Sequence, residues 1–372
     1  MKENDFFKKQ SALTSAKTKI YKDYIQGYLP KLLMSYGTCL IADLFCGAGK
    51  NGKEDGSPLI LIHRLKYILS SPQLQKKDNL KVYILFNDQD KENIENLKIE
   101  LDKIDYDRNI ITIHVHNEKY ETLLPDIIRK HDRMKIPKFF FLDPFTYSNV
   151  KMQHLKELLH LSNTEVLLFL PIFHSYRFSG LGFDESHKTR IFIEEFTTKG
   201  FTDYKNIDDF MFSVREKLLQ ETSIRYVRPV LLDGGGSKNS LFLLTKHQKG
   251  MLFMNKIALK ITDDGSHVKV KNQNQTSLFP IKEISPFYDK FKESFVSALH
   301  KEDLTNKQIV DFTIRELFLP KHAKEELKEL YDLQKIKILD SNNVEIHDMR
   351  KWNIAEEIKK ETIIKWISHE EK

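Results

Sequence analysis

Asp43, Asp88, Asn117 and Asp143 each stand at or just past the end of a short apolar run, and all four are polar groups able to hold a ligand. Polar residues at such strand ends line the crevice where doubly wound α/β proteins hold nucleotide-like ligands. Asp43 is followed by Phe45-Cys46-Gly47-Ala48-Gly49. Those glycines lack a Cβ and tolerate positive φ, so a ligand can lie directly against backbone. Asp143 is followed by Pro144 and Phe145. A carboxylate and the carbonyl beside a proline accept hydrogen bonds from an amino group, and the ring offers a plane on which a flat base can stack.

Two nucleotide chemistries compete for the glycine loop. Gly47 to Lys53 satisfies Gly-x-x-x-x-Gly-Lys, and Phe139 to Asp143 resembles the strand and acid that hold magnesium in nucleotide hydrolases. The eighth position, however, is Glu54 where a hydroxyl is needed, and Gly56 and Pro58 would break a helix opening at Lys53. Asp43 would also set a negative charge beside the phosphates. S-adenosylmethionine suits the residues better. Its ammonium can approach Asp43, and its cationic sulfonium needs no phosphate cradle. Asp88, with Asp90 behind it, can accept from both ribose hydroxyls, and Asn117 can meet the adenine. Phe45, Gly47 and Gly49 complete the expected cofactor loop. A dinucleotide would require a third glycine and a pyrophosphate-facing helix start that the spacing lacks.

At the acceptor end, Asp143, Pro144 and Phe145 suit transfer of a methyl group to an amino nitrogen. The sulfonium is already a good leaving group, so catalysis reduces to in-line placement and charge. Methylation of cytosine C5 would need a cysteine here, and the two cysteines are Cys39 and Cys46. His174, Tyr176 and Arg177, after the following strand, are further polar groups able to face a substrate.

The elements that must position these residues follow a regular rhythm. Ser15 to Leu33 reads as a helix with Ile20, Tyr24, Tyr28 and Leu32 on one stripe, and Cys39–Phe45 as the first strand. Ser57 and Pro58 mark a helix start, with the helix running Leu59–Leu69. Strands are expected at Val82–Phe86, Ile110–His116, Lys138–Leu142 and Glu165–Leu170, with helices Lys91–Ile104, Glu121–Lys130 and Lys151–Leu161 between them. Near-continuous apolar strands alternating with amphipathic helices indicate a mostly parallel sheet covered on both faces. Arg225–Leu232 and Ser240–Thr245, joined across Asp233-Gly234-Gly235-Gly236-Ser237, read as an antiparallel pair closing the sheet. Residues 265–281 read as a linker. Helices at Pro286–Leu299, after Thr305 (a capping box with Gln308) and at Pro320–Leu333 follow, then a hairpin of Lys335–Leu339 and Val344–His347. That is the order of a winged helix–turn–helix. The expected division is a Rossmann-like domain over 1–264, a winged helix over 282–350 and a C-terminal helix over 351–372.

The chain has 372 residues, 40% hydrophobic and 30% charged, with a formal net charge of +6. This mild basicity is compatible with a polyanionic partner without requiring one. No apolar stretch is long enough for a membrane span, and the N-terminus lacks the apolar core of a secretory signal. Two cysteines provide neither a disulfide framework nor a metal set, so a cytoplasmic protein without bound metal is expected.

Taken together, these residues resemble the three-Cys-motif partner (TcmP) family of class I methyltransferase-like proteins. The resemblance rests on Lys17-Thr18-Lys19 to Tyr28-Leu29, Asp43 to Gly49, Asp55-Gly56-Ser57-Pro58-Leu59, Phe86-Asn87-Asp88-Gln89-Asp90, Leu142-Asp143-Pro144-Phe145, and Leu241 to His247 with Gly250. It implies a seven-stranded methyltransferase sheet that binds S-adenosylmethionine, an appended winged helix, and a radical-SAM-like or phage-type partner carrying three cysteines. The fourth-strand motif is also similar to the Asp-Pro-Pro-Tyr of amino-group DNA methyltransferases, but it has one proline and Thr146 follows the aromatic. The activity expected is methylation of an exocyclic amine in DNA or RNA. The alternatives are a silent cofactor-binding subunit of a partner complex and, less favoured, a P-loop-like NTPase.

Overall fold

The computed structural model describes residues 3–181, 184–185, 187–233, 238–262, 267–269 and 286–367, with side chains described from Leu13 onward except at 267–269 and 286. The chain divides into two compact units, one holding residues up to Ile257 together with His267–Lys271, the other holding the rest.

The first unit is built on strands β1 (Thr38–Asp43), β2 (Lys81–Asn87), β3 (Ile111–His116), β4 (Lys138–Leu142), β5 (Thr164–Leu170), β6 (Tyr226–Asp233), β7 (Lys238–Thr245) and the short β8 (His267–Lys269). Their order is β8-β6-β7-β5-β4-β1-β2-β3. β1 lies parallel between β2 and β4, and β7 is antiparallel to both β5 and β6. A parallel sheet of seven principal strands, reversed only by its penultimate strand and covered by helices, is the Rossmann-like methyltransferase fold. Residues 265–281 were expected to be linker. Instead, β8 adds a parallel eighth strand on β6, and 270–281 lie outside the described residues.

The helices of this unit are α1 (Glu3–Tyr36), α2 (Ser57–Leu69), α3 (Lys91–Asp102), α4 (Tyr120–His131), α5 (Met152–His160), α6 (Ile172–Arg177), α7 (Lys188–Phe196), α8 (Ile207–Glu221) and α9 (Gln248–Ile261). The Phe139-Phe140-Phe141 run explains how β4 anchors both layers, because side chains alternate across a strand. Tyr21 and Tyr24 of α1 pack on Phe141 and Phe139, with centroids 4.7 and 5.7 Å apart. Phe140 and Leu142 join the opposite cluster with Leu123 and Leu155. α1 is pinned further along by Glu165, which accepts hydrogen bonds from Tyr24 Oη and Thr245 Oγ1, each at 2.7 Å. Burial raises the Glu165 pKa, as expected for a carboxylate removed from water.

The second unit has α10 (Pro286–Lys301), α11 (Asn306–Arg315), α12 (Pro320–Asp332) and a three-stranded sheet. Thr305 and Gln308 form the expected capping box at α11. The sheet is β9 (Leu304–Thr305), β10 (Ile336–Leu339) and β11 (Ile363–Trp366), with β11 in the centre and antiparallel to both neighbours. This arrangement corrects two expectations. Val344–His347 turns back beside β10 as expected, but as a single antiparallel bridge between Leu339 and Glu345 rather than a strand, with the Asp340 amide donating to the Val344 carbonyl at 2.9 Å and the Ile346 amide to the Ile338 carbonyl at 2.7 Å. The C-terminal helix expected over 351–372 is absent from the described residues there. The Ile363-Ile364 pair favours extended backbone, and Ile364 is fully buried in the sheet. The long excursion between β10 and β11 organises around Trp352, whose indole donates to the Ile346 carbonyl at 3.0 Å. Among the described residues no helix is long and apolar enough to cross a membrane.

Candidate active site

β1 delivers Asp43, fully buried, to the carboxyl end of the sheet. Ser57 Oγ donates to its Oδ2 at 2.6 Å and the Phe45 amide to its Oδ1 at 3.4 Å. Burial pushes the Asp43 carboxyl up to about 7. The Ser57 hydrogen bond opposes that rise, and the neighbouring Asp143 charge adds to it. Ser57 was expected to cap α2, but Gly56 holds the N-cap position and the hydroxyl is given to Asp43 instead. The fully buried Tyr21 hydroxyl finds no hydrogen-bond partner among the described residues. Burial and the Asp43 charge both raise its pKa.

Beyond Asp43 the chain enters the glycine loop. Gly47 has φ +62°, and no atom lies within 4 Å of where its Cβ would stand, so this backbone is open to a ligand. Gly49 serves a different purpose. Its φ is +81°, and a Cβ there would stand 2.8 Å from Leu97 Cδ1 of α3. Phe45 is half-buried against Tyr120, with centroids 5.0 Å apart.

The P-loop expectation does not survive the backbone. After Gly49 the chain runs out as a two-residue ribbon, Lys50 paired with Asp55 and Asn51 with Glu54. Lys53 sits exposed at its turn, and α2 opens only at Ser57. A phosphate-binding lysine must instead stand at the helix start, where amide groups converge.

Asp88 is only 2% exposed and braces the loop. Its Oδ2 accepts the Gly47 amide at 3.0 Å, while Oδ1 accepts the Asp90 amide at 2.8 Å and Asn93 Nδ2 at 3.2 Å. Asp90 is exposed and caps α3 by accepting the Glu92 amide. Asn117 is also exposed and donates to the Asp88 carbonyl at 2.9 Å. A residue that sequence reasoning passed over holds these strand ends together. Asn87 Nδ2 donates to the carbonyls of Leu44 and Glu118 at 3.3 and 3.0 Å, and Asn87 Oδ1 accepts the Glu118 amide at 3.2 Å. The one signal was a side-chain amide closing an otherwise apolar strand, where a buried polar group must find partners.

On the acceptor side, Asp143 Oδ2 accepts a hydrogen bond from Lys17 Nζ at 2.5 Å. Pro144 is buried, whereas Phe145 is 69% exposed. The following segment is fixed by Tyr147, whose hydroxyl lies 2.8 Å from Thr189 Oγ1 and whose ring packs on Phe192 at 4.8 Å. His174 and Arg177 are exposed on α6, the guanidinium 5.7 Å from the Phe173 ring. β1 and β4 are neighbouring parallel strands with Asp43 opposite Phe141, which puts the glycine loop and the Asp-Pro-Phe segment side by side, and the Asp143 charge adds to the raised Asp43 pKa.

Residues 269–343 match the family model described as the GMT-like wHTH domain. No curated protein matches the chain. Among solved structures, Trm1 from Pyrococcus horikoshii with S-adenosyl-L-methionine is 12% identical at a TM-score of 0.38, covering 95% of this chain and 91% of that one. The bifunctional kinase-methyltransferase WbdD is 11% identical at 0.34, covering 62% of this chain and 39% of that one. A type I restriction-modification methyltransferase subunit from Streptococcus thermophilus is 10% identical at 0.32, covering 61% and 43%. The chain thus spans about two fifths of the length of WbdD. These likenesses are slight, and the strand order itself establishes the fold.

Proposed function

We propose that this chain is an S-adenosylmethionine-dependent methyltransferase acting on an exocyclic amine of a nucleic acid, of the TcmP kind. The observation that carries the reading is the buried Asp43 carboxylate beside the open Gly47 backbone, on the strand next to the one that ends in the Asp-Pro-Phe segment. The cofactor would supply a methyl group activated on a positively charged sulfur. Asp43 would pair with its ammonium, and a buried carboxylate held up near neutrality gains most from such a cation. Gly47 and Phe45 would bound the methionine end, Gly49 would keep the loop tight, the Asp88–Asp90 turn would meet the ribose, and Asn117 the adenine. Asp143 and the carbonyl beside Pro144 would accept the amino hydrogens of the target, and the exposed Phe145 ring would stack on its base.

The charge pairing of α12 in the winged unit favours a nucleic-acid partner. Lys321, Lys324 and Lys328 of α12 stand against three glutamates, Glu325, Glu326 and Glu329. Glu326 is turned inward, accepting from Tyr288 Oη at 2.8 Å and pairing with Lys292, and Glu329 also pairs with Lys292 at 3.4 Å. Glu326 is thereby withdrawn from the lysines that would meet phosphates, and Glu329 is partly offset by Lys292.

The test is calorimetric titration with S-adenosylhomocysteine, followed by tritium transfer from labelled S-adenosylmethionine to DNA and to RNA. Asp143→Ala should lower transfer by at least about 100-fold while leaving homocysteine-nucleoside binding within about threefold. Binding without transfer to either polymer would favour the silent subunit of a radical-SAM-like partner. No binding would reject the cofactor.

A further inference from the structure

Asp143 is held in place by a residue from the far end of the chain. Lys17, on α1, reaches the Asp143 carboxylate at the end of β4, and its ammonium stands 4.5 Å from the centroid of the Phe169 ring on β5. The two ion-pair side chains are 16% and 21% exposed, so water screens them less than an open surface pair. The contact is charge-assisted and short, and the ring gives the ammonium a second anchor. Only one Asp143 oxygen is used. Among the described residues Oδ1 has no hydrogen-bond partner.

We propose that Lys17 is a positioning residue of the acceptor site, fixing the Asp143 carboxylate through Oδ2 so that Oδ1 is left to accept a hydrogen from the substrate amino group. The inference rests on the methyltransferase reading above and deepens it. An unanchored aspartate can rotate about its side-chain bonds, and the buried Asp43 carboxylate beside it gives it no favourable partner. With Lys17 bound on one side and the Phe169 face behind the ammonium, three elements determine where the target nitrogen is received. The accepted hydrogen bond aligns that nitrogen's lone pair with the methyl carbon, and a displacement of about 1 Å in such a site costs about 100-fold in rate. Lys17 thereby explains why α1 carries a cation toward a sheet edge that otherwise gathers acids.

The experiment compares the full-length protein with Lys17→Met and Lys17→Arg, using tritium transfer to sheared genomic DNA and total RNA. Calorimetric binding of S-adenosylhomocysteine and a thermal melt are run on each. Lys17→Met should lower kcat by about 100-fold, with KM for nucleic acid, homocysteine-nucleoside affinity and melting midpoint nearly unchanged. Lys17→Arg should recover most of kcat, because a guanidinium can both pair with a carboxylate and lie on an aromatic face. If Lys17→Met turns over as fast as the wild type, or faster because the lysine was obstructing the acceptor, the positioning role is overturned and the methyltransferase reading stands. If Lys17→Met loses cofactor affinity along with turnover, the lysine belongs to the cofactor end and the proposal fails. A wild type that transfers no methyl group to either polymer overturns both.

Discussion

Asp43→Asn tests the electrostatics of the crevice without needing a substrate. Burial lifts the Asp43 carboxyl from the ordinary 3.8 to about 7, a penalty of about 4 kcal/mol on the ionised folded state. The folded protein prefers the protonated acid, so the associated stability is complete below the unfolded value near 4 and disappears as pH rises through 7. Asparagine carries no charge, and its carbonyl can still accept from Ser57. Between pH 5 and pH 8 the wild type should therefore lose about 2.5 kcal/mol relative to the variant. For a unit of this size that is a divergence of about 5–10 °C in melting midpoint. Thermal melts of both proteins at pH 5, 6, 7 and 8 measure it directly, and titrations common to both chains cancel in the difference. Cofactor binding should show the opposite face of the same equilibrium. Affinity for S-adenosylhomocysteine should rise with pH through 7 with proton release, and the asparagine variant should bind weakly at every pH. Parallel stability curves for the two proteins would refute a buried, titrating Asp43.

Three further outcomes are expected. Gly49→Ala combines positive φ with a Cβ 2.8 Å from Leu97 Cδ1, so chemical denaturation should show a loss of about 2–3 kcal/mol. Phe145→Ala removes a ring that is 69% exposed. It should leave the melting midpoint within about 1 °C while weakening nucleic-acid affinity, read by fluorescence anisotropy, by about 1–3 kcal/mol. Lys53→Ala, at the tip of the ribbon, should change neither methyl transfer nor stability, and no magnesium-dependent nucleotide hydrolysis should accompany either protein.

The sheet was legible because its chemistry is local. The apolar runs ending in Asp43, Asn87, His116 and Leu142 leave no other reading, and the Gly-rich turn before Lys238 announced the reversed pair. The positions of Asp43, Asp88, Asn117 and Asp143 at strand ends followed from the same runs. Their partners did not, because hydrogen bonds from Lys17 and Ser57 depend on how α1 and α2 lie over the sheet. Ser57 looked like a helix cap, whose hydroxyl accepts a backbone amide, and only the approach of Asp43 turned that hydroxyl into a donor. That Asp88 also braces the loop, by accepting the Gly47 amide, could not be read from the sequence, because it depends on the tight turn at Gly47. The wing misled for a related reason. Asn342-Asn343 does turn the chain back on one edge of β10, but the strand that fills the other edge and joins it to β9 is Ile363–Trp366, and non-local pairing is invisible to a local pattern.

The late arrival of β11 has a consequence for how the winged unit comes into being. Its central strand is the last piece of the described chain to be synthesised, so Leu304–Thr305 and Ile336–Leu339 wait as two open borders until residue 366 has emerged. A fragment cut at residue 343 would keep all three helices yet display both borders to any passing extended segment, making it prone to self-association. Excision of this unit therefore has to follow the strand pairing and retain the segment through Trp366.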